Sequence, residues 1–283
     1  MPVLVPDSTG LFISQIEGLE PVPENITTKA FAGGSGEYFV GRQRGKRNIV
    51  LHFGMESQGY DAGAVRESLD GNFYSDGDSE ITLRFEFDDR DPVLISGFAE
   101  TIEGDRFSSD LDFQISVICP KPNFIAETVS TATGFTDADP AWTTLTTLGN
   151  RDCGFAVKLI PEAGLEDNIG NDMTYISGVE SATPGVYIHQ RALEINPHTA
   201  DLPDPMVAGE EFWMDSRLGQ KSVYIYTPST GAVRNALRGM TQDSQWPKLF
   251  PGPNGFRITN PYWAAGVHPM AWTAYWYDEF GGI

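Results

Sequence analysis

Residues 81–124, ITLRFEFDDRDPVLISGFAETIEGDRFSSDLDFQISVICPKPNF, decide the fold. Ile81, Leu83, Phe85 and Phe87 alternate with Thr82, Arg84 and Glu86; Leu111, Phe113, Ile115 and Val117 alternate with Asp112, Gln114 and Ser116. A period of two puts apolar side chains on one face and polar ones on the other, the pattern of half-buried antiparallel strands rather than of a helix. Asp88-Asp89-Arg90-Asp91-Pro92 and Glu103-Gly104-Asp105 read as polar loops between such strands. The run stops at Cys119-Pro120-Lys121-Pro122, where two prolines remove ladder donors and favour an extended connector. The spacing predicts a boundary there, with residues 1–122 as one domain and 123–283 as the other.

Upstream, residues 11–17 (LFISQIE) and 26–31 (ITTKAF) read as short strands, and Gly33-Gly34-Ser35-Gly36 as a turn before Tyr38-Phe39-Val40. Arg42, Arg44, Lys46 and Arg47 then cluster ahead of a strand over 48–53, in which Ile49, Leu51 and Phe53 share a face. This reads as a hairpin with a basic tip: either a solvated loop or a dock for an acidic neighbour, such as another copy of the chain. Residues 61–70 carry the one helical pattern of this half, with Asp61 as cap, Val65 and Leu69 on one face, and a stop at Gly71.

The 283 residues suffice for two domains, and 40% hydrophobic with 12% aromatic residues excludes a disordered tail. Net charge is −20, and acids outnumber bases on both halves (21 to 10 over 1–122, 18 to 9 over 123–283). Such a surface repels phosphate, which argues against nucleic-acid binding. Two cysteines, Cys119 and Cys153, are too few for a disulfide scaffold; they read as free thiols of a chain made in a reducing cytoplasm. MPVLVPDSTG lacks the basic start and apolar core of a signal peptide, and no window has the ~20 apolar residues of a membrane span.

All six tryptophans lie beyond the connector. Short apolar runs at 153–160, 173–179, 186–195, 211–214 and 223–226, with a turn at Thr227-Pro228-Ser229-Thr230-Gly231, predict a β-sandwich. Trp246-Pro247-Lys248-Leu249-Phe250-Pro251-Gly252-Pro253-Asn254-Gly255-Phe256 then gives an apolar anchor, a Pro/Gly turn and a new strand, and the chain closes on Tyr275-Trp276-Tyr277-Asp278-Glu279-Phe280-Gly281-Gly282-Ile283.

These elements in this order resemble the distal tail proteins of long-tailed bacteriophages: paired strands with a Cys-Pro-x-Pro exit, a Leu-x-Pro-Gly-x-Asn turn before the last strands, and an aromatic, Gly-rich end. The resemblance implies a mainly all-β, two-domain chain. Residues 1–122 would be a β-rich, split-barrel-like belt domain with one short helix, and residues 123–283 a galectin-like β-sandwich. It implies a structural protein of the virion tail tip, assembled in the host bacterial cytoplasm. Its copies would form a homo-oligomeric, hexameric ring joining the tail tube protein to the tail-tip hub, around the tape-measure protein or DNA channel. The ring contact is then expected at Arg42, Arg44, Lys46, Arg47, Ile49, Leu51 and Phe53.

No catalytic, metal or cofactor constellation stands against this. His52, His189, His198 and His268 share no ligand spacing. The Gly33–Gly36 run has no P-loop lysine, and residues 70–78 miss the glycine that a calcium loop needs at its sixth position. Asp88, Asp89 and Asp91 read as a wet loop. The second reading is a host-surface adhesin that stacks sugars on Trp213, Trp246 or Trp263, because aromatic faces suit the apolar faces of sugars. A glycan hydrolase with two carboxylates is the third.

Overall fold

The computed structural model describes residues 11–55, 62–73, 79–104, 113–135, 143–161, 174–181, 191–195, 209–237, 240, 245–259 and 270–283. Two compact units emerge: Met1–Glu127 together with Phe280–Ile283, and Thr128–Glu279. Among the described residues one helix accompanies nineteen strands, so the chain is all-β in class.

The first unit comprises β1 (Leu11–Glu17), β2 (Glu24–Ala30), β3 (Glu37–Arg44), β4 (Arg47–Met55), α1 (Ala62–Phe73), β5 (Ile81–Phe85), β6 (Val93–Gly104), β7 (Phe113–Cys119) and β8 (Phe124–Ala126). Its main sheet runs β1-β4-β7-β6-β8, with β5 also on β6. β4 lies between β1 and β7, antiparallel to both, and its parity sends Arg47, Ile49, Leu51 and Phe53 inward. They meet Val93, Ile95, Ile115, Val117 and Phe124 in one core, where the rings of Phe53 and Phe113 stack 5.1 Å apart. Leu69 of α1 is buried in that core and Val65 and Phe73 pack on it, as the apolar face of the helix predicts. The helix does not stop at Gly71. Partial burial of Phe73 two residues on offsets the roughly 1 kcal/mol that an exposed helical glycine costs. β6 likewise continues through Glu103 and Gly104, which the sequence had suggested as a loop.

The second unit comprises β9 (Ser130–Phe135), β10 (Thr143–Thr147), β11 (Phe155–Pro161), β12 (Thr174–Ser181), β13 (Arg191–Ile195), β14 (Glu211–Asp215), β15 (Ser222–Thr227), β16 (Ala232–Asn235), β17 (Gly252–Thr259) and β18 (Met270–Trp276), and leads into β19 (Glu279–Phe280). A six-stranded sheet, β16-β15-β14-β11-β18-β9, faces a four-stranded one, β10-β17-β12-β13. Both are antiparallel throughout. Side chains from the two sheets make one core: Phe256 of β17 meets Phe155 of β11 and Trp272 of β18 edge to face, at 5.6 and 4.9 Å. This is the sandwich that the short apolar runs predict.

Cys119 and Cys153 are free and buried, one in each unit. Burial pushes the Cys119 thiol up to about 11; burial, with Glu279, Asp278 and Asp152 nearby, pushes that of Cys153 up to about 12. The thiolate is the nucleophile. Ellman's reagent at pH 8 is therefore expected to label neither cysteine of the native chain and both in denaturant. Above the ordinary thiol range only the unfolded thiols ionise, so these two groups make stability fall as pH rises there. Rapid native labelling would contradict their burial.

Candidate assembly interface

The seven residues suggested for a ring contact divide between surface and core. β3 does not pair with β4; it pairs with β2, while β4 pairs with β1 and β7. Gly45-Lys46 therefore links two separate sheets rather than tipping a hairpin. Lys46 is exposed. Arg42 is exposed and meets Glu24 at 3.3 Å. Arg44 is half-buried, donating to Glu24 through Nε and Nη2 at 2.8 and 2.6 Å and to Asn123 Oδ1 at 2.9 Å. Arg47, Ile49, Leu51 and Phe53 are enclosed in their own core, which corrects their assignment to a surface contact. Strand parity is the reason: Arg47 stands two and four residues before Ile49 and Leu51, on the inward face.

What is open lies just upstream. Among the described residues β2 and β3 form a two-stranded sheet joined to no other. Ile26 is 67% exposed and Phe39 61%, with Phe31, Tyr38 and Val40 also exposed. Gly33 and Gly36, with φ of 78° and 105°, close the turn between the strands, and the Phe31 amide donates to the Gly36 carbonyl at 3.2 Å. An isolated two-stranded ribbon is marginal in water and has two unpaired edges. Here it also leaves large apolar side chains wet. Its charges are Lys29, Arg42 and Arg44 against Glu24 and Glu37, a small positive excess on a chain of net −20.

In the second unit Trp213 projects from β14 onto the outer face of the six-stranded sheet. Its indole lies between Tyr224, at 6.3 Å and 7° from parallel, and Tyr275, at 5.9 Å and 16°. Its Nε1 donates to Glu211 at 2.9 Å. Both ring faces are thus occupied, so Trp213 has no free face on which a sugar could stack. Trp246 is half-buried against the core, with the Lys221 ammonium 5.9 Å from its ring centroid. Trp263 lies outside the described residues, as do His189, His198 and His268. His52 pairs with Glu17 at 3.2 Å.

Several carboxylates are tied into the fold. Glu210 accepts from Thr227 and Arg234, Asp215 binds Arg217, and Asp278 accepts the Leu148 amide. Among the described residues no three potential metal ligands gather. Arg90 leaves Asp88, Asp89 and Asp91 exposed and lays its guanidinium 3.8 Å from the Phe87 ring centroid.

No family model matches the chain, and no curated protein matches it in sequence. Its fold does match solved structures. Over 95% of this chain and 93% of the other, it superposes on the Dit protein (gp 19.1) of SPP1 with a TM-score of 0.61 at 11% sequence identity. That structure is described as a paradigm of the hub adsorption apparatus in phages that infect Gram-positive bacteria. A looser likeness, TM-score 0.46 at 6% identity over 98% and 93% of the two chains, is to the phage P2 baseplate in its activated conformation with Ca. The fold is thus similar to that of the SPP1 Dit protein, in agreement with the resemblance to distal tail proteins drawn from strand order and turn motifs. At 11% identity the likeness lies in the course of the backbone, not in shared side chains.

Proposed function

We propose that the chain is a structural protein of the virion tail tip, a distal tail protein whose six copies close into a ring. The observation that carries this is a Dit-type fold along 95% of the chain, combined with an apolar two-stranded arm that joins no sheet of its own unit. The ring would sit between the tail tube protein and the tail-tip hub, around the tape-measure protein or the DNA path, after assembly in the host cytoplasm. Its work is shape and interface rather than turnover. A head-to-tail contact must close or else polymerise. In this reading the arm is one half of that contact: Ile26 and Phe39 bury against the next copy, and the positive excess that includes Arg42 is drawn to an acidic neighbour.

Light scattering on the purified chain tests the proposal. Six copies of the 31.0 kDa chain make a particle of about 186 kDa, with rings visible in negative stain. Replacing Ile26 and Phe39 together by serine is expected to reduce that particle to monomer. Thermal stability of the monomer should hardly move, since exposed substitutions change it by only about 0.5 kcal/mol. Monomeric native chain, both alone and with tail tube protein added, would defeat the ring; rings that survive the double substitution would defeat the arm.

A further inference from the structure

The Tyr275–Trp213–Tyr224 stack ends at a groove. Trp213 faces Tyr224 directly across the β14–β15 register and covers one side of its ring. On the far side, toward β16, Tyr224 joins Lys221, Ser222, Val233, Asn235 and Leu237 around a cavity of about 340 Å³, within the usual size of small-ligand sites. Val233 and Leu237 are 63% and 44% exposed, so the apolar part of the groove is open to solvent. Asn235 Oδ1 accepts the Leu237 amide at 2.8 Å, which fixes the amide's orientation and leaves its Nδ2 to donate. Among the described residues that line it, Lys221 supplies the only charge, and it is positive on a chain of net −20.

We infer that this groove binds a pyranose ring bearing an acid group, a hexuronate residue of a surface glycan. The apolar face of the sugar lies on the free side of Tyr224 and along Val233, the Asn235 amide and Ser222 hydroxyl meet its hydroxyls, and Lys221 meets its carboxylate. An amphipathic ring with convergent donors suits a sugar. Lys221, with no carboxylate among the described lining residues, selects an anionic sugar over a neutral one. This goes beyond the tail-tip reading and needs no ring: a monomer carries the whole groove.

The full-length chain would be titrated with glucuronate and with neutral methyl glucoside, followed by saturation-transfer NMR and tryptophan emission, because Trp213 stacks on the ring that the sugar would touch. Binding of glucuronate at about millimolar strength is expected, as for one small shallow site. Tyr224→Ala should weaken it at least tenfold. So should Val233→Tyr, which fills the groove from an exposed position and leaves the core intact, as circular dichroism and melting would verify. Lys221→Gln should weaken glucuronate about fivefold and leave the glucoside unchanged. Absence of saturable glucuronate binding, or binding that Val233→Tyr leaves untouched, overturns the site. Equal affinity for both sugars overturns its selectivity for an acid.

Discussion

Arg47→Met is expected to destabilise the first unit by at least about 3 kcal/mol, although the substitution removes a charge from a core. Arg47 is 1% exposed. Its Nε donates to the Pro122 carbonyl at 2.7 Å, Nη1 to those of Gly18 and Glu20 (2.7 Å to Glu20), and Nη2 to that of Gly281. The guanidinium carbon also lies 4.5 Å from the Phe124 ring centroid. Burial lowers the pKa of Arg47, but a guanidinium stays charged. One planar fork thus ties three distant stretches of chain: the turn after β1, the proline connector, and the C-terminal residues. Gly18 fits beside it only as glycine, since φ is 83° and a Cβ would run into the Asn48 carbonyl. Methionine fills much of the volume and leaves four carbonyls, that of buried Gly281 among them, without that donor. Lysine keeps the charge but concentrates its donors at one atom, so Arg47→Lys should recover about half the loss.

Deleting Phe280–Ile283 should destabilise the same unit by a related amount. It removes the Gly281 acceptor, the Ile283 amide that donates to Leu19 at 3.2 Å, and the Phe280 ring beside Arg90. The deletion and Arg47→Met break one cluster, so their effects should add to less than their sum. All six tryptophans belong to the second unit, so their emission reports the sandwich while far-ultraviolet circular dichroism reports both units. The expected urea result is a dichroism transition moved to lower urea with the tryptophan transition in place. A shift below about 1 kcal/mol for Arg47→Met would show that water, or a relaxed backbone, replaces the fork.

Arg47 also shows what the sequence could and could not convey. Alternation made β4, β5 and β7 legible, because a sheet with one buried face imposes a period of two on its residues. The same parity places Arg47 inward with Ile49, Leu51 and Phe53, a signal outweighed in the sequence reading by its three basic neighbours. Tyr38-Phe39-Val40 announced a strand, and three consecutive apolar residues meant apolar groups on both faces. That the ribbon has no sheet to join depends on non-local pairing, which periodicity does not encode. Nor did the aromatic end reveal that Phe280–Ile283 belongs with the first unit, a contact made more than 230 residues from Arg47. At Trp213, composition suggested a sugar platform. Parity correctly sends it outward between Glu211 and Asp215, but the two tyrosines that cover it arrive from β15 and β18.

Asn254→Ala should cost the second unit about 2–4 kcal/mol, and Asn254→Asp should cost more at pH 7 than at pH 4. Asn254, 1% exposed, closes the Pro251-Gly252-Pro253 turn with its own side chain. Oδ1 accepts the Phe250 amide at 2.8 Å, while Nδ2 donates to the carbonyls of Phe250 and Gly252 at 2.8 Å and of Leu145 at 3.3 Å. Gly252 takes the left-handed φ of 90° that lets the chain double back into β17. Alanine removes the acceptor of the Phe250 amide and the donor shared by the three carbonyls from a buried position, although the Phe250 carbonyl keeps the Thr147 hydroxyl at 2.8 Å. An aspartate keeps the single acceptor but sets a carboxylate against three carbonyl oxygens, so burial and repulsion raise its pKa in the folded state above the unfolded value of about 3.9. Protonation at low pH removes the charge and restores one donor. The penalty therefore grows as pH climbs from about 4 through the raised folded pKa and levels off above it. Tryptophan-monitored melting at pH 4 and pH 7 reads this directly. If the aspartate and alanine variants melt alike at both pH values, the three carbonyls do not converge on Nδ2, and the turn is held by its prolines and glycine alone.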